Sequence, residues 1–136
     1  MTTRHYEDVE FGEELPTFTP DVTMKTVKRF TDANNMSWGR FNDHEEARKQ
    51  GLPGAIVPGI MSQGILAAMI NNWAPGCRIH KIDTVFRAAL VVDSKPTCRA
   101  VVTDKNDDDK LLEIDLTILN EAEETRVLGT ATVELP

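Results

Sequence analysis

Two hydrophobic rhythms divide the chain. In PGIMSQGILAAMINNW, positions 58–73, Ile60, Met61, Ile65, Leu66, Ala68, Met69, Ile70 and Trp73 recur every three or four residues. The apolar arc is too broad for a helix with one wet face, so the pattern predicts a helix of about 13 residues over 59–72, roughly 20 Å long, that other elements must wrap. Pro58 precedes it where a missing N–H costs nothing. Gly59 and Gly64 each lower helix propensity by about 1 kcal/mol, which predicts backbone or ligand packed closely against the first turns. Asn71, Asn72, Pro75 and Gly76 end the run.

From Arg78 onward the period changes to two. His80, Ile82, Thr84 and Phe86 alternate with Lys81, Asp83, Val85 and Arg87, and residues 88–92 carry the chain to a turn at 93–96. A strand over 97–104 meets one over 111–119 across the charged turn KNDDD, with Leu112, Ile114, Leu116 and Ile118 on one face. A last strand over 125–135 carries Gly129 and Ala131, small residues that let a helix lie close across a sheet. One helix cradled in a curved antiparallel sheet, an α+β architecture, follows from this order.

The first half is less regular. Tyr6, Val9, Phe11 and Leu15 are the apolar anchors of a polar opening, and Gly12 marks a turn. Residues 18–24 suit a first strand. A helix begins at Thr26, with Val27, Phe30 and Ala33 in helical spacing and two asparagines as its stop. Residues 36–42 read as loop. Asp43 is an N-cap with Glu46 three residues on, and the short helix that follows ends at Gly51. The loop LPGAIVPG then joins this surface helix to the buried one, a junction of the kind where ligands are held.

Composition narrows the function. The 136 residues form one domain by size, 1–136, with 40% hydrophobic and 27% charged residues, ordinary for a soluble globular chain. A net charge of -7 argues against nucleic acid or an anionic membrane as partner, while leaving room for an anionic small ligand at a helix N-terminus. Cys77 and Cys98 lack metal-ligand spacing and are expected as free thiols. The opening MTTRHYEDVEFGEE has no apolar leader core and no stretch reaches 18 apolar residues, so a cytoplasmic location is expected. The three histidines have no companions that would make a metal site, and no cofactor is expected.

Three stretches, YEDVEFGEELP, FTDANNMSWGRFNDHEEARKQGLPGAIVPGIM and VFRAALVVD, resemble the MaoC-like hotdog-fold proteins, the family of (R)-specific enoyl-CoA hydratases and related acyl dehydratases. The resemblance covers nearly the whole chain and runs without a gap from Phe30 to Met61. Phe30, Asp43, Ala47, Gly51, Ile56 and Gly59 all fall on family positions. It implies a hotdog fold with five or six antiparallel strands around the helix at 59–72. It also implies a dimer of such domains, with acyl-thioester tunnels near the subunit boundary.

The same comparison places Met36 where the family hydratases carry a catalytic aspartate and Phe41 where they carry a catalytic histidine. Trp38 stands at their asparagine, Gly39 at their proline, and Pro58 replaces a histidine just before the helix glycine. Hydration of an enoyl thioester needs one group to activate water and another to protonate the α-carbon. Met36 and Phe41 can do neither. The Gly59 N–H, which the resemblance assigns to polarising the thioester carbonyl, survives any side-chain change. Substrate-binding candidates are therefore Met36, Trp38, Phe41, Pro58 and Gly59. Proton carriers that could substitute are Asp32, in a shifted register over Asp32-Ala33-Asn34, together with Asp43, His44 and His80. Asp43 is better explained as a cap, His44 as a solvated first-turn residue and His80 as a strand residue.

Two classes of function fit these residues. One is a subunit without the catalytic pair, lining part of an acyl-CoA tunnel for a bulky fatty or steroid acyl group beside a catalytic hotdog partner. The other is an active homomeric hydratase or dehydratase using non-standard residues, or a homomeric acyl-thioester-binding protein.

Overall fold

The computed structural model describes residues 2–136. After a single 3-10 turn, Tyr6–Asp8, come four helices: α1 Met24–Ala33, α2 Gly39–Asn42, α3 His44–Lys49 and α4 Gly59–Trp73. The strands β1 Arg78–Phe86, β2 Thr97–Asn106, β3 Leu111–Leu119 and β4 Thr125–Glu134 follow. They form one antiparallel sheet in the order β1-β4-β3-β2, an α+β hotdog-like fold. Among the described residues no helix is long and apolar enough to cross a membrane.

The alternation in β3 does what its sequence demands. Leu112, Ile114, Leu116 and Ile118 are all buried and share one hydrophobic core with Leu66, Met69 and Ile70 of α4. The four carbon-rich side chains on one pleat face and the helix stripe remove each other from water, worth about 25 cal/mol per Å² of apolar surface. α4 itself runs 15 residues, ending at Trp73, whose ring lies beneath the Arg4 guanidinium at 4.8 Å.

The sheet covers only part of α4. Met61, Ser62, Leu66, Met69, Ile70 and Trp73 are buried, but Ile60 is 63% exposed, and Gly64, Ala68 and Asn71 are exposed on the same side. An apolar helix predicted to be wrapped therefore keeps one stripe, at spacings of four, four and three, that this chain does not cover.

Several sequence expectations need correction. Residues 18–24 form no strand. The chain before α1 meets the β2 edge only at isolated bridges, Glu14 with Val101 and Phe18 with Cys98; within 18–24, Pro20 has no N–H to give a ladder and Thr23 already caps α1. Hydrogen bonds still cover that edge: the N–H groups of Gly12, Leu15 and Phe18 donate to Val102, Ala100 and Cys98 at 2.9, 3.0 and 3.1 Å. The sheet accordingly has four strands where the resemblance implied five or six. α1 starts at Met24, two residues early, because Thr23 caps it by accepting from the Thr26 N–H. It buries Val27 and Thr31, while Ala33 is exposed. Part of the expected loop at 36–42 is the helical turn α2. β1 stops at Phe86, and residues 87–90 leave the ladder.

Two glycines also differ from expectation. A Cβ at Gly64 would meet nothing within 4 Å, so no close packing on α4 explains it within this chain. At Gly129 the neighbour is the backbone of β1: a Cβ there would come within 2.0 Å of the Asp83 carbonyl oxygen. Its smallness serves the adjacent strand and not the helix. Gly129→Ala is expected to lower unfolding free energy by about 1–3 kcal/mol through backbone displacement. Gly64→Ala should raise it by about 0.5–1 kcal/mol. Urea denaturation of the two variants measures both signs.

Candidate functional site

The loop entering α4 is held as a short piece of ladder. Val57 N–H donates to Leu90 O and Val92 N–H to Ala55 O, each at 2.8 Å, around an antiparallel bridge between Ile56 and Val91. Ile56 N–H donates to Arg40 O at 2.8 Å, which ties the loop to α2. The result fixes Pro58, buried and with φ of -56°, as the residue from which α4 starts. The Pro58 carbonyl accepts from Met61 and Ser62 N–H at 3.0 and 3.1 Å. Among the described residues nothing accepts from Gly59 or Ile60 N–H, as expected for the first turn of a helix.

Beside that turn opens a cleft of about 340 Å³. Its walls are Ile56 and Val57 from the loop, Gly59 and Ser62 from α4, Phe86 with residues 88–90, and Val127 of β4. Phe86 is the lid of the glycine: a Cβ at Gly59 would lie 3.2 Å from the ring Cζ. The ring remains 50% exposed, so it rests on the helix start from outside. No residue of the cleft wall titrates. A slightly larger hollow of about 390 Å³ lies on the β2 edge between residues 14–17 and 99–101, but no helix start faces it.

The sequence-predicted residues divide sharply. Gly59 lines the cleft and Pro58 sets its rim. Met36, Trp38 and Phe41 do not reach its wall. They sit one layer away, in the turn whose Arg40 carbonyl holds Ile56. Phe41 is buried, with Trp38 packed against it at 5.7 Å between ring centroids, and Trp38 is 57% exposed. Phe86, Ser62 and residues 88–90 are the part of the site that sequence reasoning missed. Phe86 read as one more alternating strand residue, and Ser62 as a polar interruption in a core stripe.

None of the possible proton carriers faces the cleft, because each is tied elsewhere. Asp32 is exposed and accepts from the Ser37 hydroxyl at 2.5 Å. Asp43 caps α3, accepting from Glu46 N–H at 3.1 Å. His80 pairs with Glu134 at 2.7 Å, six residues and so about 20 Å along β1 from Phe86. His44 is not the solvated residue expected. Its Nδ1 accepts from Ala55 N–H at 3.0 Å, so Nε2 carries the proton and donates to Asp93 at 2.9 Å. Asp93, in a left-handed conformation with φ of 69°, also accepts from Met24 N–H at 2.8 Å. Two side chains thus join α1, α3, the site loop and the turn before β2. Among the described residues no three His, Cys, Asp or Glu side chains converge as metal ligands. Cys77 and Cys98 are free thiols, Cys98 buried in β2.

No family model matches the chain, and no curated protein matches it in sequence. Its fold is nevertheless shared with solved structures. The (R)-hydratase from A. caviae involved in PHA biosynthesis superposes with a TM-score of 0.89 at 17% identity, over 96% of this chain and 99% of the other. A chain of the ChsH1-ChsH2 complex from Mycobacterium tuberculosis gives 0.85 at 18% identity, over 93% and 98%. One from the HadBC (3R-hydroxyacyl-ACP dehydratase) complex of the same organism gives 0.71 at 14%, over 90% and 96%. At these identities the likeness defines the architecture, the hotdog fold of MaoC-like hydratases and dehydratases.

The Asp93 carboxyl is held below the usual carboxylate range, first by the hydrogen bond from His44 and then by that from Met24 N–H. A depressed folded value means its stabilisation is complete above about pH 4, the unfolded value, and is lost as pH falls through the folded one. Asp93→Asn keeps a residue tolerant of positive φ but removes the charge. At pH 7 it should cost about 1 kcal/mol, the worth of a cap. That gap between the two proteins should close on acidification below about pH 4, as read by thermal melts across pH.

Proposed function

We propose that this chain is a MaoC-like hotdog subunit that binds an acyl thioester without supplying the acid–base pair, and works beside a catalytic partner of the same fold. The observation that carries the reading is an apolar cleft at the start of a 15-residue helix in which no wall residue titrates. The Gly59 N–H, at the positive end of the α4 dipole, can donate to a thioester carbonyl oxygen and polarise it. Moving a proton to or from carbon needs a side chain that the cleft lacks. Met36 and Phe41, at the family's proton-transfer positions, supply apolar surface behind the loop instead.

The partner is argued from what the fold leaves open. β1 is an edge strand with an unpaired backbone row, and at its end Val85 and Phe86 are 60% and 50% exposed. Ile60, Gly64 and Ala68 expose an apolar stripe on α4. A second domain of this fold would cover a free edge and an apolar helix stripe, both costly to leave in water. Two of the structures with this architecture are complexes by name, ChsH1-ChsH2 and HadBC. The apolar wall suits a bulky acyl group, of the fatty or steroid type.

The isolated chain is expected to hydrate enoyl-CoA thioesters at background rate across short, long and steroid acyl groups. Mixing it with a catalytic hotdog subunit that copurifies should restore turnover. Sedimentation at micromolar concentration should show at least a dimer. Turnover well above background in a sample proved free of any partner would overturn the reading in favour of a homomeric enzyme.

A further inference from the structure

Among the described residues Ser62 is one of two buried polar or charged ones, with 2% of its surface exposed. Thr31, the other, donates to Lys28 O and meets Asn42. The Ser62 hydroxyl makes no hydrogen bond to any described residue. Since among the described residues no side-chain N or O atom is both fully buried and unpaired, its oxygen keeps contact with the cleft it lines. With no protein partner, a hydroxyl on an otherwise apolar cleft wall has its hydrogen bonds completed only by what enters the cleft, water or ligand.

Its position indicates which ligand group that would be. Ser62 stands three residues, just under one turn, past Gly59. Side chains on a helix lean toward its N-terminus, so this hydroxyl lies over the turn that carries the free Gly59 N–H. All other wall side chains are aliphatic or aromatic, and Phe86 covers the turn from outside.

We infer that Ser62 is a ligand-positioning residue whose hydroxyl, together with the Gly59 N–H, donates to one carbonyl oxygen of the bound acyl group. Resting on the thioester-binding reading, this makes the cleft selective for acyl over alkyl chains of equal length. An alkyl chain fills the same apolar space but leaves both donors unpaired, which is where discrimination against an isosteric ligand arises.

The test titrates the protein as it purifies, with any subunit that accompanies it, with dodecanoyl-CoA and with its dodecyl thioether, which lacks the carbonyl oxygen. The wild type is expected to bind the thioester about tenfold more tightly. Ser62→Ala is expected to lose most of that preference by weakening thioester binding while leaving thioether affinity and the melting temperature close to wild type. A purely structural role for Ser62 would shift both ligands equally. Retention of the full preference in Ser62→Ala overturns the assignment of Ser62 and leaves thioester binding standing. Equal wild-type affinity for the two ligands overturns the carbonyl contact altogether. Binding of neither ligand overturns the proposed function, and this inference falls with it.

Discussion

Burial of α4 against the inner face of the sheet is the interaction on which the rest depends. The helix offers little polar surface, so any fold of this chain has to cover it, and the Leu112, Ile114, Leu116 and Ile118 face does so for one side. The short ladder between residues 55–57 and 90–92 then decides where the helix begins. Because that ladder ends at Pro58, Gly59, which carries the first free N–H of α4, stands in the wall of an apolar cleft. The candidate site and the uncovered helix stripe share this cause. An apolar helix laid on a sheet of one chain leaves an opening at its N-terminus and one side bare.

The chemistry open to the candidate site is set by the side chains that do not reach it. The chain is rich in carboxylates, yet those near the cleft in sequence are committed elsewhere: Asp43 to a helix cap, Asp32 to Ser37, Asp93 to His44 and Met24. His44, the nearest imidazole in sequence, spends both nitrogens on holding the loop. A backbone N–H and a hydroxyl can bind and polarise a carbonyl, and hydrocarbon walls can hold the chain attached to it. They cannot exchange a proton with carbon. The shared architecture with an (R)-hydratase and with two complexes accommodates both outcomes, since a fold carries a function only through the residues at its site.

The β1 side of the molecule explains why residues outside the family motif matter. Phe86 ends the edge strand because the backbone at 87–90 turns away to meet β4, with Arg87 and Ala88 N–H donating to Arg126 O at 2.8 and 3.2 Å. That departure swings the ring onto Gly59 and brings residues 88–90 into the cleft wall. One local break in a strand thus builds the outer half of the site.

By itself the sequence determined the central helix, the two hairpins that follow it, the buried face of β3 and the Asp43 cap, because each rests on periodicity or on neighbours within four residues. It also showed that Met36 and Phe41 cannot transfer protons, which follows from side-chain chemistry alone. Tertiary structure decided the rest. Residues 18–24 looked like a strand by composition, but Pro20 has no N–H to give a ladder and Thr23 is taken up as the cap of α1. Gly129 looked like room for a helix and proved to be room for the Asp83 carbonyl of the neighbouring strand. Met36, Trp38 and Phe41 lie one layer behind the cleft at the helix start, whose wall includes Ser62, Phe86 and residues 88–90. Those groups lie up to 28 positions apart in the chain, and their convergence depends on the ladder between residues 55–57 and 90–92, a long-range pairing that no local pattern encodes.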